Sequence, residues 1–378
     1  MKLSSLAKKI VFIETIAFCT LFLWWPGLLR AGQHQQEAGF SITGQRWEEA
    51  EKLFRSDPRW LGGDGASSVN LGIKRVLWLF GDSFINTKGS STRRDAVMVR
   101  NSIAVQSGRN LAKAAMRFYW KSRGGKPASF FREEGDEWFW PGSGVSFKGT
   151  LIIFLVKVRG SKSDLMFEPS GWKAVLVHNP ESVPWAWGVR SLACPVTGRI
   201  LVGSSSLLIK DGYLYAFSTD WKDRSVYLVR WQVGKAFRGD LSRPQWWMGS
   251  AGGWADAGSA GLNPVPVFTN GQVEFTVHYE PLLKAFLMVQ TLSLREPCLA
   301  MRSSPGLTGP WTGPECFFQP PQKTPPGLLI YAGKAHKVFK GADLTLTYAV
   351  NTTDKVRIMD DMGIYYPVVL KAKISLKR

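Results

Sequence analysis

Histidine and cysteine are scarce in this chain, with four of each among 378 residues. So few histidines, without zinc-type Cys/His spacing, exclude a multi-histidine metal centre and the zinc modules of nucleic-acid-binding proteins. Acids are outnumbered as well, 29 against 48 lysines and arginines, for a formal charge of +19. No block of about five or six consecutive basic residues accompanies that excess. Charge spread along the chain favours an anionic surface or glycan over sequence-specific DNA, and no nucleic-acid partner is expected. Also missing are a Gly-Lys-Ser/Thr phosphate loop, a dinucleotide fingerprint and a His-Glu-x-x-His pattern. The Ser-rich Gly203-Ser204-Ser205-Ser206 lacks the second glycine of a nucleophile elbow and reads as strand.

What is abundant is apolar and aromatic surface: 45% hydrophobic residues, 13% aromatics and 17 tryptophans. This is ample for one large core. Tryptophans left at the surface would offer flat faces for sugar rings, with Trp138, Trp140, Trp185, Trp187 and Trp254 as the candidates. At the N-terminus, Lys2, Lys8 and Lys9 precede an apolar run over residues 10–29, broken by Glu14 and Pro26. Residues 1–31 therefore read as a signal peptide or as an uncleaved membrane anchor, and both remain open. Either places the body in the periplasm or outside the cell, tethered to the membrane in the second case. Disulfides are permitted there, and the turn-rich stretch between Cys298 and Cys316 is compatible with either a bridge or two reduced core thiols.

Residues 32–59 read as a polar tether carrying one short helix, whose apolar face is Trp47, Ala50, Leu53 and Phe54. From residue 60 to 378, helical periodicity gives way to a recurring hairpin: short strand, tight turn, strongly apolar strand. The apolar strands are Val76–Phe80, Leu151–Val158, Tyr213–Ser218, Ala285–Gln290 and Leu344–Val350. Their spacing of roughly 60–75 residues suits propeller blades with long loops. The predicted class is all-β, a five-bladed β-propeller behind an N-terminal signal or anchor helix, with a β-sandwich of unequal hairpins as the alternative. Antiparallel pairing puts the start of each first strand level with the end of the second. Asp64, Glu274 and His336 at the starts, and Asp82 and Asn351 at the ends, are thereby predicted to meet at one mouth of the channel.

Trp60-Leu61-Gly62-Gly63-Asp64-Gly65-Ala66, Leu77-Trp78-Leu79-Phe80-Gly81-Asp82-Ser83, Arg100-Asn101-Ser102-Ile103, Glu274-Phe275-Thr276-Val277, Gly309-Pro310-Trp311, Ala335-His336 and Tyr348-Ala349-Val350-Asn351 occur in that order. In this the chain, from about Trp60 to Pro367, resembles the bacterial family catalogued as domain of unknown function 4185. That family includes endo-acting D-arabinanases and is distantly similar to the propellers of glycoside hydrolase family 43. The resemblance implies an exported glycoside hydrolase acting on an arabinan-like, furanose-containing polysaccharide of the cell envelope. It carries Asp64, Asp82, Glu274 and His336 over as site residues. Two departures stand out: Lys337 where many relatives have Pro, and Ser143 where they have Asp.

Glycoside cleavage needs one carboxyl to protonate the leaving oxygen and another as base or nucleophile. Asp64 on its Gly-rich segment is expected to be base or nucleophile. Glu274, ahead of an apolar strand, is expected to be buried and so the acid, with Asp82 in support. Arg100, Asn101, Trp140, Trp187, His336 and Asn351 are the expected substrate contacts. No metal or other cofactor is expected to take part, although a structural calcium ion near His336 is left open. The alternative function is a non-catalytic propeller that binds an anionic glycan or an envelope partner. A monomer is expected in either case.

Overall fold

The computed structural model describes residues 39–163, 166–256, 263–292, 297–321, 327–339 and 343–377. The expected signal or anchor helix, including the apolar run 10–29, lies outside the described residues. Among the described residues, no helix is long and apolar enough to cross a membrane.

The chain is all-β, as its alternation of turns and apolar runs requires. Five antiparallel sheets of four or five strands follow one another, with two small sheets beside them. Sheet I contains Ser67–Gly72, Arg75–Phe80, Ser102–Ser107 and Ala115–Tyr119. Sheet II contains Glu137–Phe147, Thr150–Gly160, Phe167–Val177 and Val189–Leu192. Sheet III opens on Ile200–Lys210 and Tyr213–Asp220, and sheet IV on Phe275–Glu280 and Ala285–Leu292. Sheet V consists of Leu328–Ala335, Asp343–Thr352, Val368–Leu376 and, from the other end of the chain, Phe40–Arg46. Each predicted apolar strand is the second strand of its sheet, buried on both faces because sheets pack on either side of it.

The first strands neighbour one another in the order I to V. The ring closes where His336 of sheet V meets Ser68 of sheet I, and Lys334 meets Gly65. Apolar clusters fill the spaces between successive sheets; one joins Leu77, Leu79 and Ile103 of sheet I to Ile153 and Leu155 of sheet II.

Over its described part, residues 39–59, the tether reading is corrected. Phe40–Arg46 pairs along its length with Val368–Leu376, from Phe40 opposite Leu376 to Arg46 opposite Leu370. Alternating Phe40 and Ile42 bury against sheet V, which is why this polar-looking stretch is held. The predicted helix is present as Glu48–Phe54, with Ala50, Leu53 and Phe54 buried. Cys298 and Cys316 form a disulfide between the third and fourth strands of sheet IV, while Cys194 is a free, half-buried thiol.

Candidate active site

The site is built at the open end of the first hairpin. Trp60–Gly63 runs into Asp64, and Ser83–Ile85 runs out of Asp82; these two short strands pair with each other in one of the small sheets. The chain therefore crosses itself just beside both acids. Gly81 N–H donates to the Asp64 carbonyl at 3.0 Å. A Cβ on Gly81 would come within 2.5 Å of Asp64 Oδ1, so only glycine lets the carboxyl lie across this backbone.

Three carboxyls converge here. Asp82 is 1% exposed; Trp140 Nε1 donates to its Oδ1 at 3.1 Å, and Arg100 Nη1 lies 3.6 Å from its Oδ2. Glu274 reaches in from the lead-in to sheet IV, its Oε1 2.6 Å from Lys334 Nζ. Lys334 also donates to the Gly65 carbonyl, which fixes Glu274 beside the Asp64 segment. Asp64 itself retains some solvent exposure. Its pKa is pushed up to about 8, first by burial, then by the negative charges of Asp82 and Glu274, against the opposing effects of Tyr331 and Lys334.

Two tyrosines complete the cluster. Tyr331 Oη donates to Asp64 Oδ2 at 2.7 Å and accepts from Asn351 Nδ2 at 3.1 Å. Tyr365 Oη is shared between the Asp82 carbonyl oxygen at 3.2 Å and Asp64 Oδ2 at 3.5 Å. Burial, and then the charge of Asp64, raise both phenols well above their ordinary value, so both remain donors. Behind Tyr365 lies Arg93, fully buried, donating to the carbonyls of Leu61, Ile358, Asp361 and Ile364. It staples the Asp64 segment to the loop that carries Tyr365.

The expected substrate contacts divide. Trp140 and Arg100 border the carboxyls, and Arg100 also lies over Trp138 at 4.3 Å. Asn351 orients Tyr331 instead of facing a ligand. Three expectations are corrected. His336 is 1% exposed, with its ring nitrogens 2.8 Å from Ser68 Oγ and 2.7 Å from Thr347 Oγ1, leaving no edge for sugar or ion. Burial, aided by Lys334, holds its pKa down to about 3. Asn101 is wholly buried and spends its amide on Phe131 and Phe139 backbone groups. Trp187 lies in the core against Phe130, its Nε1 donating to the Ser182 carbonyl. Among the described residues, no group of three or more His, Cys, Asp and Glu is arranged to hold a metal ion.

Tyr331, Lys334 and Tyr365 escaped the sequence reading. Side chains three apart on a regular strand point to opposite faces. Between Tyr331 and Lys334, however, the register against Ala349 and Thr347 shifts by one residue. That bulge turns both side chains onto the carboxyls. The one available signal was Gly333 inside an apolar strand, where a Cβ would come within 2.5 Å of Thr291 Oγ1.

Fold and site together define an all-β protein with a buried carboxylate cluster where its first and last sheets meet. The chain belongs to the family described as domain of unknown function DUF5005, whose pattern matches residues 48–367. This corrects the resemblance to family 4185. No curated protein matches the sequence. Among solved structures, the chain is similar to a protein from Bacteroides ovatus ATCC 8483 described as a hydrolase by inference, at TM-score 0.69 and 14% identity over 92% of this chain and 97% of that one. That likeness shows a shared fold. More distant are the catalytic domain of the Coprinopsis cinerea GH62 α-L-arabinofuranosidase (TM-score 0.46, 11% identity, 88% and 96% covered) and xylan β-1,4-xylosidase from Bacillus halodurans C-125 (0.43, 12%, 84% and 53%).

Proposed function

We propose that the five sheets are the blades of a five-bladed β-propeller over residues 60–378, completed by Phe40–Arg46, and that the protein is a glycoside hydrolase. The observation that carries this reading is the meeting of Asp64, Asp82 and Glu274, with the Asp64 carboxyl held protonated near neutral pH. A carboxyl acid beside a carboxylate is what protonation of a glycosidic oxygen with attack from the other side requires.

The roles differ from those expected from sequence. Asp64, with its proton retained to about pH 8, is the general acid. Glu274, its side chain 31% exposed and paired with Lys334, is the base or nucleophile. The burial expected of Glu274 falls on Asp64 instead, because the Gly62–Ala66 segment is covered by Tyr331 and Tyr365. Asp82 keeps Asp64 protonated by its charge and holds Trp140 at the edge of the site.

The substrate is a polysaccharide, in our reading a furanose-containing polymer of the cell envelope. The Cys298–Cys316 bridge favours an oxidising compartment, in keeping with export and a tether over residues 10–29. Incubating the chain from Gly39 onward with arabinan and arabinoxylan and assaying reducing ends tests the activity. Asp64→Asn and Glu274→Gln should each abolish release while the chain still unfolds in one cooperative thermal transition. Undiminished release by either variant would refute its role.

A further inference from the structure

Between Asp95 and Glu133 the chain carries eight arginines and lysines and not one acid. The bias escapes a search for consecutive charges because apolar and polar residues separate the cations. Apart from Arg100, which faces Asp82, none of the eight is ion-paired among the described residues. The two acids that follow are occupied: Glu133 accepts from Ser129 Oγ and Glu134 from Lys173 Nζ. Arg109 is spent on the Val338 carbonyl and Asn70 Oδ1, but exposed cations without an ion pair add little to the fold, so their concentration in one segment calls for another account.

The segment is also oriented. The outer strand of sheet I, Ala115–Tyr119, ends with Tyr119 opposite Ile103, next to Ser102, whose partner Phe80 leads into Asp82. Leaving the sheet at that carboxylate end, the chain forms a two-stranded hairpin, Lys121–Arg123 with Lys126–Ala128, turning through Gly124-Gly125. The hairpin packs on Val97–Val99, which pairs with the Ser83–Ile85 strand that leaves Asp82. Its return reaches Ser129, whose Oγ accepts from Arg100 N–H at 3.0 Å. Arg123 and Lys126 are exposed at the tip. Lys121 Nζ lies 4.8 Å from the Phe130 ring and 5.8 Å from that of Trp185, an indole 56% exposed and packed edge-on against Tyr119. Burial among these rings lowers the Lys121 pKa, and no carboxylate offsets it. An exposed indole beside an ammonium that lacks a counter-ion matches a sugar ring bearing an acidic group.

We propose that the Lys121–Ala128 hairpin, with Trp185 beside it, is a docking arm for an anionic polysaccharide, one carrying carboxylate, sulfate or phosphate groups, which it feeds past Arg100 to the carboxyl cluster. This rests on the glycoside-hydrolase reading and names the substrate class of that site. The acidic groups meet Lys121, Arg123 and Lys126, while neutral parts of the chain lie nearer Asp64 and Glu274, where negative charge is already concentrated.

The test compares binding of the Asp64→Asn chain to polygalacturonate, dextran sulfate, neutral arabinan and single-stranded DNA at low and high salt. The first two polymers separate carboxylate from sulfate recognition. The arm variant is Lys121→Gln/Arg123→Gln/Lys126→Gln. Its control is Lys74→Asn/Lys148→Asn/Lys284→Asn, which removes the same charge from turns at the far end of sheets I, II and IV, where the left-handed backbone suits asparagine. The arm variant should lose about ten- to a hundredfold in affinity for an acidic glycan, and the control should lose little. Equal losses in both variants would reduce the effect to net charge and overturn the proposal. So would equal binding of neutral arabinan, or DNA bound more tightly than either acidic glycan. Arm-dependent binding without cleavage by the unmutated chain keeps the arm and overturns the hydrolase. Cleavage of neutral arabinan with no arm dependence does the reverse.

Discussion

Tyr331 Oη donates a 2.7 Å hydrogen bond to Asp64 Oδ2 from 267 positions away in the chain. The bond favours the charged form of a carboxyl whose surroundings otherwise favour the neutral one, so Tyr331 sets how far the pKa of Asp64 climbs.

Replacing Tyr331 by Phe removes that donor and moves the Asp64 pKa further up. If Asp64 is the acid, activity falls as pH rises through its pKa, so the alkaline limb of kcat/KM should shift to higher pH in Tyr331→Phe. A limb that stays in place, or moves the other way, would dissociate Asp64 from the proton transfer. The variant also strands Asn351 Nδ2, at a stability cost of about 1–3 kcal/mol.

Lys334 is 1% exposed and joins Glu274 to the Gly65 carbonyl. Lys334→Met leaves Glu274 without its cation and Gly65 without its donor. Because Glu274 is nearly a third exposed and water takes up part of the loss, the expected cost is about 2–3 kcal/mol, below that of a fully buried pair. A urea midpoint within error of the parent would show that the pair contributes nothing.

Stability should fall on acidification from about pH 6.5 to pH 4. Burial, followed by the charge of Lys337, depresses His278 to about 4, and neither ring nitrogen has a hydrogen-bond partner among the described residues; Glu280 Oε2 lies 3.9 Å away. The unfolded chain binds a proton in this window and the native chain does not, so the stability present above pH 6.5 is lost as pH falls. His336 acts in the same direction, down to about pH 3. Asp64, with its raised pKa, acts oppositely and costs stability as pH rises from about 4 to 8. Thermal midpoints measured across this range should fall less steeply on acidification for His278→Met, by an amount worth about 3 kcal/mol. An unaltered acid limb would exclude His278 as its source.

Replacing both Cys298 and Cys316 by Ser opens a loop of sequence separation 18 and should cost about 3 kcal/mol by loop-closure entropy. Denaturation with and without reductant checks this. The parent should lose that stability on reduction, and the double variant should be indifferent to it.

The sheets were legible because each second strand is a run of apolar residues between turn residues, a pattern that depends only on neighbours in sequence. The meeting of Asp64 and Asp82 followed from the same local pairing. What stayed hidden depends on distant partners. Phe40–Arg46 looks like tether until Val368–Leu376 is beside it. His336 looked like a ligand because Ser68 and Thr347, which occupy its ring, lie elsewhere in the chain. Tyr331 and Lys334 share a face only because of a bulge, and Asp64 is covered by Tyr331 and Tyr365, which no local pattern assigns to it.

The strand Phe40–Arg46 is synthesised long before its partner Val368–Leu376. Phe40–Arg46 therefore has to wait, unpaired, until Val368–Leu376 has emerged. Contacts of such long sequence separation form slowly. That pairing, which holds the ring shut, therefore forms late, and it ties segments made far apart in time into a single cooperative unit.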